Sequence, residues 1–156
     1  MFLATRNSSP GARVLLTQTA EYALRAALWL AEHPERAPAS VAEMAKTLRI
    51  PQNYLSKTLH QLARTGVVHS TRGKRGGFRL DRDPALIPLY DIVAPFERFA
   101  ERGRCILGRP VCSDQTACAA HERWKHVSET AAAFFRETSL ADLRQGSGRP
   151  SRAAAR

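Results

Sequence analysis

Three thiols and an imidazole stand close together in the second half of the chain, with the spacing Cys105-x6-Cys112-x5-Cys118-x2-His121. Thiolate-rich loops bind soft or borderline metals, which means zinc or an iron-sulfur cluster. Structural zinc usually takes paired cysteines about two to four residues apart, so the wider gaps seen here favour a loop around a larger group. We therefore predict a metal centre on this segment, with incidental cysteines as the simpler interpretation.

A second feature that could do chemistry is the cationic stretch RGKRGGFR over residues 72–79, which crowds four cations around three glycines. A tight turn needs glycine for positive φ, but stability does not require so much like charge in one place. A DNA backbone or a narrow minor groove would relieve the repulsion, whereas a solvated basic hairpin is the alternative. We predict that Arg72, Lys74 and Arg75 contact DNA.

The residues just before this turn predict an amphipathic helix over residues 51–65, which ends at Gly66. Its apolar face is predicted to consist of Tyr54, Leu55, Thr58, Leu59 and Leu62. Its polar face carries Gln52, Asn53, Ser56, Lys57, His60 and Arg64. Near the helix N-terminus, Gln52 and Asn53 suit adenine edges, and Lys57 suits guanine or phosphate. This face is typical of a DNA recognition helix.

The elements that must position these residues are mostly helices. Thr17 is predicted to cap a first helix, and Ser40 with Glu43 predicts a capping box at the start of a second. The β-branched residues 67–71 and the alternating residues 78–80 predict a hairpin around the cationic turn. Two helices joined by a tight turn and followed by a two-stranded ribbon form a winged helix-turn-helix. The predicted fold class is therefore mainly α with a small β-hairpin.

A long helix from about residue 119 to residue 137 follows the cysteines. Its apolar side consists of Trp124, Val127, Ala131, Phe134 and Phe135. We predict that this helix forms a homodimer, with packing inside one chain as the alternative. The expected divisions are residues 1–14 (flexible arm), 15–83 (DNA-binding domain), 84–118 (linker helix and cysteine loop), 119–145 (dimerisation helix and short end helix) and 146–156 (disordered tail).

Composition narrows the class of function. The chain has 156 residues, with 24 Lys and Arg against 14 Asp and Glu, and the formal net charge of +10 favours a polyanionic partner. No apolar run is long enough for a membrane span, and the N-terminus lacks the apolar core of a signal peptide. We therefore expect a cytoplasmic protein, in which cysteines serve metal or redox chemistry. The chain has no phosphate loop and no room for a substrate domain, so we do not expect an enzyme.

Several stretches, taken in order and spacing, resemble the Rrf-two family of winged-helix transcription regulators. They are LTQTAEYALRAALWLA, SVAEMAKTLRIPQNYLSKTLHQLARTGVV, RGKRGGF, the three-cysteine loop and SLADL, and they span about residues 15–145. The resemblance implies a homodimer that binds a pseudo-palindromic site on double-stranded DNA. It also implies an iron-sulfur cluster, 2Fe-2S or 4Fe-4S, that sets the affinity for DNA in response to redox state, nitric oxide or iron.

The resemblance assigns roles by position. It implies cluster thiolates at Cys105, Cys112 and Cys118. The fourth ligand is His121 in one branch of the family and Glu21 of the partner subunit in another, and this chain has both. The gap of six residues after Cys105 is longer than is usual in the family. The residues that match DNA-contacting positions are Asn53, Tyr54, Ser56 and Lys57 on the recognition helix and Arg72 on the wing.

Several alternatives stay open at this point. The cluster type and the fourth ligand are undecided, as are repression or activation and the form that binds DNA. The main rival interpretation keeps the winged helix but uses the three cysteines as a zinc site or as a cluster-free thiol redox switch.

Overall fold

The fold is that of a computed structural model, which describes residues 16–73, 75–97, 107 and 113–144. The helices of this part of the chain are α1 (Gln18–Glu32), α2 (Val41–Leu48), α3 (Gln52–Arg64), α4 (Leu89–Val93) and α5 (His121–Glu137). Strands β1 (Val68–Thr71) and β2 (Gly77–Leu80) pair antiparallel. The predicted fold class, mainly α with one small hairpin, is confirmed.

Side-chain caps fix the starts of the first two helices. The Thr17 hydroxyl accepts a hydrogen bond from the Ala20 N–H at 3.3 Å, and the Ser40 hydroxyl accepts one from the Glu43 N–H at 3.2 Å. Both predicted caps are therefore confirmed. The second half of the predicted capping box is wrong, because the Glu43 carboxylate accepts from Arg36 Nη1 at 2.7 Å instead.

The core forms where α1 packs against α3 and α4. Four alanines of α1 are fully buried, which lets the neighbouring helices approach its backbone closely: Ala20, Ala23, Ala26 and Ala27. The facing residues of α3, which are Leu55, Leu59 and Leu62, are fully buried as well. Burial of each such leucine contributes about 2 kcal/mol to stability. This contact fixes the orientation of α3, so that its other face is left in solvent.

A left-handed residue makes the turn between α2 and α3. Arg49 has φ 55° and ψ 44°, and its N–H donates to the Ala45 carbonyl. The next residue, Ile50, also donates to the Ala45 carbonyl at 3.1 Å and is buried. Pro51 then precedes α3, where its fixed φ suits the start of a helix. The turn is thus short and anchored in the core.

The hairpin is attached to the helical core by one extra pair of backbone bonds. Ala39 donates to the Phe78 carbonyl at 2.9 Å, and Phe78 donates to the Ala39 carbonyl at 2.8 Å. A Cβ on Gly77 would lie 2.3 Å from the Ala39 carbonyl oxygen, so glycine permits this close approach. At the tip, Gly73 has φ 107°, as a tight turn requires. The wing therefore leaves the core in a defined direction.

The end of α5 is tied back to the start of α4. The Leu89 N–H donates to the Thr138 carbonyl at 2.9 Å, and the Leu140 N–H donates to the Ile87 carbonyl at 2.8 Å. Phe135 and Leu140 are buried against this junction. None of the helices described is long and apolar enough to cross a membrane.

Two local predictions need correction. Tyr54, which we predicted on the apolar face of α3, has 59% of its surface exposed, because it lies on the edge of the buried stripe. The long helix begins at His121 rather than near residue 119. The predicted arm over residues 1–14 and tail over residues 146–156 lie outside the described residues, and the division into segments stays a prediction.

Candidate nucleic-acid interface and cysteine segment

The outer face of α3 presents a row of polar side chains. Gln52, Asn53, Tyr54 and Lys57 are exposed, and Ser56 is half-buried beside them. These are the five residues that the sequence assigned to DNA contact on this helix. They occupy its first two turns, and all five are at least partly exposed there.

Local hydrogen bonds order the start of α3. The Asn53 side-chain oxygen accepts from the Tyr54 N–H at 3.0 Å, which leaves its second lone pair and the amide NH2 group for outward contacts. On the inner side, the buried Thr58 hydroxyl donates to the Tyr54 carbonyl at 2.9 Å. Thr58 therefore satisfies its polar group within the helix, and the helix keeps its apolar side against the core.

The wing places two more of the predicted cations in solvent. Arg72 and Arg75 are exposed at the hairpin turn, whereas Lys74 lies outside the described residues. Within the described part of the chain, neither of these arginines nor Lys57 has a carboxylate partner. Uncompensated cations on one surface attract polyanions.

The cysteine segment is described in part. Cys105 and Cys112 lie outside the described residues, and Cys118 is a half-buried free thiol. The His121 N–H donates to the Cys118 carbonyl at 2.9 Å, so the third cysteine and the histidine share one turn of chain at the start of α5. The roles of Cys118 and His121 as ligands stay a prediction.

His121 has a partner that the sequence analysis missed. Its side chain is 6% exposed, and Nε2 lies 2.9 Å from Asp114 Oδ1. Lys125 Nζ lies 3.6 Å from the same oxygen. The hydrogen bond from His121 and the charge of Lys125 lower the pKa of the Asp114 carboxyl below its usual value. The i,i+4 spacing of His121 and Lys125 places both on one helix face, but no pattern in the sequence points to Asp114 as their partner.

The same corner brings three possible metal ligands together. The ligand atoms of Asp114, His121 and Glu122 all lie within 4.8 Å of one another. One nitrogen and two carboxylate oxygens suit a borderline ion such as zinc. Exposed Asp114 also contacts a lysine, which competes with any bound cation.

The second candidate ligand, Glu21, lies in the first turn of α1 and is exposed. Its Oε1 is 3.8 Å from Arg25 Nη1, an i,i+4 ion pair. An acidic side chain in this position also interacts favourably with the helix dipole. Its predicted role as a ligand for the partner subunit stays a prediction.

Comparison with known proteins identifies the family. The sequence model of the Rrf2 family, described as an iron-dependent transcriptional regulator, matches residues 16–146. The chain belongs to the Rrf2 family. It is therefore a winged-helix transcriptional regulator, and the expectation that it is not an enzyme is confirmed.

Relatives and solved structures agree with this assignment. An Aquifex aeolicus chain, named among the HTH-type transcriptional regulators, is 34% identical over 83% of this chain and 91% of its own length. The regulator IscR of Xenorhabdus nematophila is 30% identical over 82% of this chain and 77% of its own length. Among solved structures, CymR, the global cysteine regulator of B. subtilis, superposes with a TM-score of 0.67 and 26% identity, covering 83% of this chain and 95% of that one.

The titration of Asp114 gives a direct test of the corner geometry. Because the hydrogen bond from His121 is the largest cause of the lowered pKa, His121→Ala should raise the pKa of Asp114 towards the ordinary value, and Lys125→Ala should raise it less. NMR of the Asp114 carboxyl carbon across the acid range measures both. A depressed pKa means that this contact adds stability above the pKa of the unfolded chain and loses it as pH falls through the lowered value. A larger rise in the Lys125 variant would contradict the assignment.

Proposed function

We propose that this protein binds double-stranded DNA as a homodimer at a pseudo-palindromic site, and that a cysteine-ligated iron-sulfur cluster sets its affinity for DNA. The observation that carries DNA binding is the surface formed by the exposed polar face of α3 together with Arg72 and Arg75 of the wing, which have no carboxylate partner among the described residues. Family membership supports DNA binding, because Rrf2 regulators bind DNA. The dimer and the cluster are the finer parts of the proposal.

In this proposal α3 lies in the major groove. Asn53 and Gln52 are exposed near its N-terminus and offer amides to adenine edges, while Lys57 offers a cation to guanine or phosphate. Arg72 at the root of the wing turn reaches the sugar-phosphate backbone or the minor groove beside it. A two-fold dimer places two such helices about one DNA turn apart, which suits a pseudo-palindrome.

The dimer proposal rests on the uncovered side of α5. Val127 and Phe134 are 47% and 53% exposed, and Ala131 lies between them on the same helical stripe. On another side of the helix, Ala132 and Phe135 are buried. One side of α5 therefore packs on its own chain, while an apolar stripe faces solvent. A second copy of α5 is the occupant that we propose for this stripe.

The donor set fits an iron-sulfur cluster. Cys105, Cys112 and Cys118 would supply three thiolates, and His121 or the partner subunit's Glu21 the fourth ligand. A bound cluster would react with oxidants and nitric oxide, and its assembly would depend on the supply of iron. Cys118 lies three residues before the start of α5. Binding of a cluster at Cys118 would therefore change the position of α5, which in the proposed dimer sets the spacing of the two α3 helices. A difference of a few kcal/mol between the two arrangements is enough for a switch.

The second candidate keeps the same DNA-binding surface but assigns the cysteine segment to a zinc site or a thiol switch. The grouping of Asp114, His121 and Glu122 favours a single ion, because carboxylate and imidazole ligands suit zinc. Metal analysis of protein purified without oxygen distinguishes the two candidates. Iron with acid-labile sulfide supports the cluster, and a colourless protein that carries one zinc per chain supports the alternative.

Base contact by α3 predicts a loss of sequence discrimination. We expect Asn53→Ala to bind a duplex selected by the wild-type protein about tenfold more weakly, since one bidentate amide–adenine pair is worth about 1–3 kcal/mol. Binding to a mixed-sequence duplex should change little. Fluorescence anisotropy at fixed salt measures both, with Thr47→Ala on α2 as the control. An equal loss on both duplexes would contradict base contact.

The proposed dimer predicts that an acid in the stripe separates the subunits. Phe134→Asp should give a particle of half the wild-type mass, because the carboxylate would be desolvated in the interface. Light scattering coupled to size exclusion measures the mass. Glu129→Lys, two residues from Val127 and thus on the opposite side of α5, is the control and should stay dimeric. An unchanged mass in the Phe134 variant would refute this interface.

The cluster proposal predicts that removal of a single cysteine thiol abolishes cluster binding. Cys118→Ala, purified without oxygen, should lack the visible absorption bands, the iron and the sulfide of the wild-type protein, and should keep the wild-type dimer mass. Ser128→Ala on α5 is the control and should remain coloured. Retained colour and iron in the Cys118 variant would show that this thiol is not a ligand.

A further inference from the structure

An open groove runs between the second half of α3 and the hairpin. It has a volume of about 450 Å³ and is lined by His60, Ala63, Arg64, Ser70 and Arg72. Three of these side chains, His60, Arg64 and Arg72, are exposed and carry nitrogen donors. Of the residues that the sequence assigned to DNA contact, only Arg72 is among the described residues that line the groove.

The hairpin register explains why these residues face one another. Ser70 pairs with Phe78, and alternate residues of a strand share a face, so Ser70 lies on the same face as buried Phe78. The Phe78 ring packs edge-on against His60, with ring centroids 5.3 Å apart. His69 and Arg79 pair on the opposite face of the hairpin. The inner face of the wing and the last turns of α3 thus form the two walls of the groove.

The described lining of the groove is cationic. Among the described residues no carboxylate lines it, and neither Arg64 nor Arg72 forms an ion pair. Two guanidiniums around one opening repel each other unless an anion lies between them. Guanidinium groups match the geometry of phosphate oxygens better than ammonium groups do.

The groove is also continuous with the reading face of α3. Lys57, His60 and Arg64 are spaced i, i+3 and i+7, so they form one stripe along the helix. A polyanion that contacts Lys57 near the helix start can therefore continue along the stripe into the groove. This continuity and the openness of the groove favour a polymer backbone over an enclosed small anion.

We propose that this groove holds a phosphate of the DNA backbone, bound by Arg64 from α3 and Arg72 from the wing, with His60 and Ser70 as further donors. The inference rests on the proposed DNA binding and extends it to residues outside the first two turns of α3. A phosphate held between both elements fixes the wing and the recognition helix on the same strand of the duplex. Such a contact sets position and affinity rather than sequence preference.

Arg64→Ala in the full-length protein tests the proposal. Its affinity for a mixed-sequence duplex should fall about tenfold, as expected for loss of a charge-assisted contact. The slope of log K against log salt should become shallower by about 1, because one phosphate contact is lost. Arg64→Lys retains the charge and should keep the wild-type slope with a smaller loss of affinity. Circular dichroism confirms that each variant is folded.

Neutral methylphosphonate linkages, placed one at a time in a duplex selected by the wild-type protein, locate the contact. One linkage should weaken wild-type binding but leave Arg64→Ala binding unchanged. Arg79→Ala, which removes an arginine from the opposite hairpin face, should remain sensitive to that linkage. Two results would refute the phosphate contact in the groove but leave DNA binding intact. One is a wild-type salt slope in Arg64→Ala. The other is that every linkage that weakens wild-type binding also weakens binding by Arg64→Ala. Absence of wild-type binding to any duplex would overturn the proposed function together with it.

Discussion

The contact between the alanine face of α1 and the leucines of α3 is the constraint on which the rest of the structure depends. Ala20, Ala23, Ala26 and Ala27 have no exposed surface, so every larger side chain at these positions would push α3 outward. The helix that presents polar groups to solvent is therefore positioned by a tightly packed contact rather than by its own polar residues. Because α4 also packs on α1, the same core positions both α3 and the start of the C-terminal half of the chain.

The wing depends on a different kind of restraint. Its direction is set by two backbone hydrogen bonds between Ala39 and Phe78, and the Phe78 ring lies against His60 of α3. The hairpin is thereby coupled to both the segment before α2 and the end of α3. Arg72 is thereby held beside α3, with which it lines the groove. Such a rigid frame lowers the entropy that would be lost when a long ligand is bound.

The elements that the sequence predicted well are those with local causes. The caps at Thr17 and Ser40 act within four residues, and the hairpin follows from β-branched residues around a glycine-rich turn. Misses came from contacts between segments. Glu43 pairs with Arg36 from the preceding turn, and exposed Tyr54 depends on how α3 is rotated against the core. The bond between Asp114 and His121 crosses the start of α5, and no local pattern names that partner.

The backbone hydrogen bonds that tie the end of α5 to the start of α4 affect how α5 can move. Two backbone bonds, donated by Leu89 and Leu140, hold the C-terminal end of α5 beside the start of α4, whereas Cys118 lies just before its N-terminal end. In a helix of about 26 Å whose C-terminal end is held in this way, a small shift at the N-terminal end changes the inclination of the whole helix. In a two-fold pair, equal inclinations of two such helices would alter the separation of the attached domains. In the proposed dimer, a local rearrangement near Cys118 would therefore change the separation that the two winged domains present to a duplex of fixed pitch.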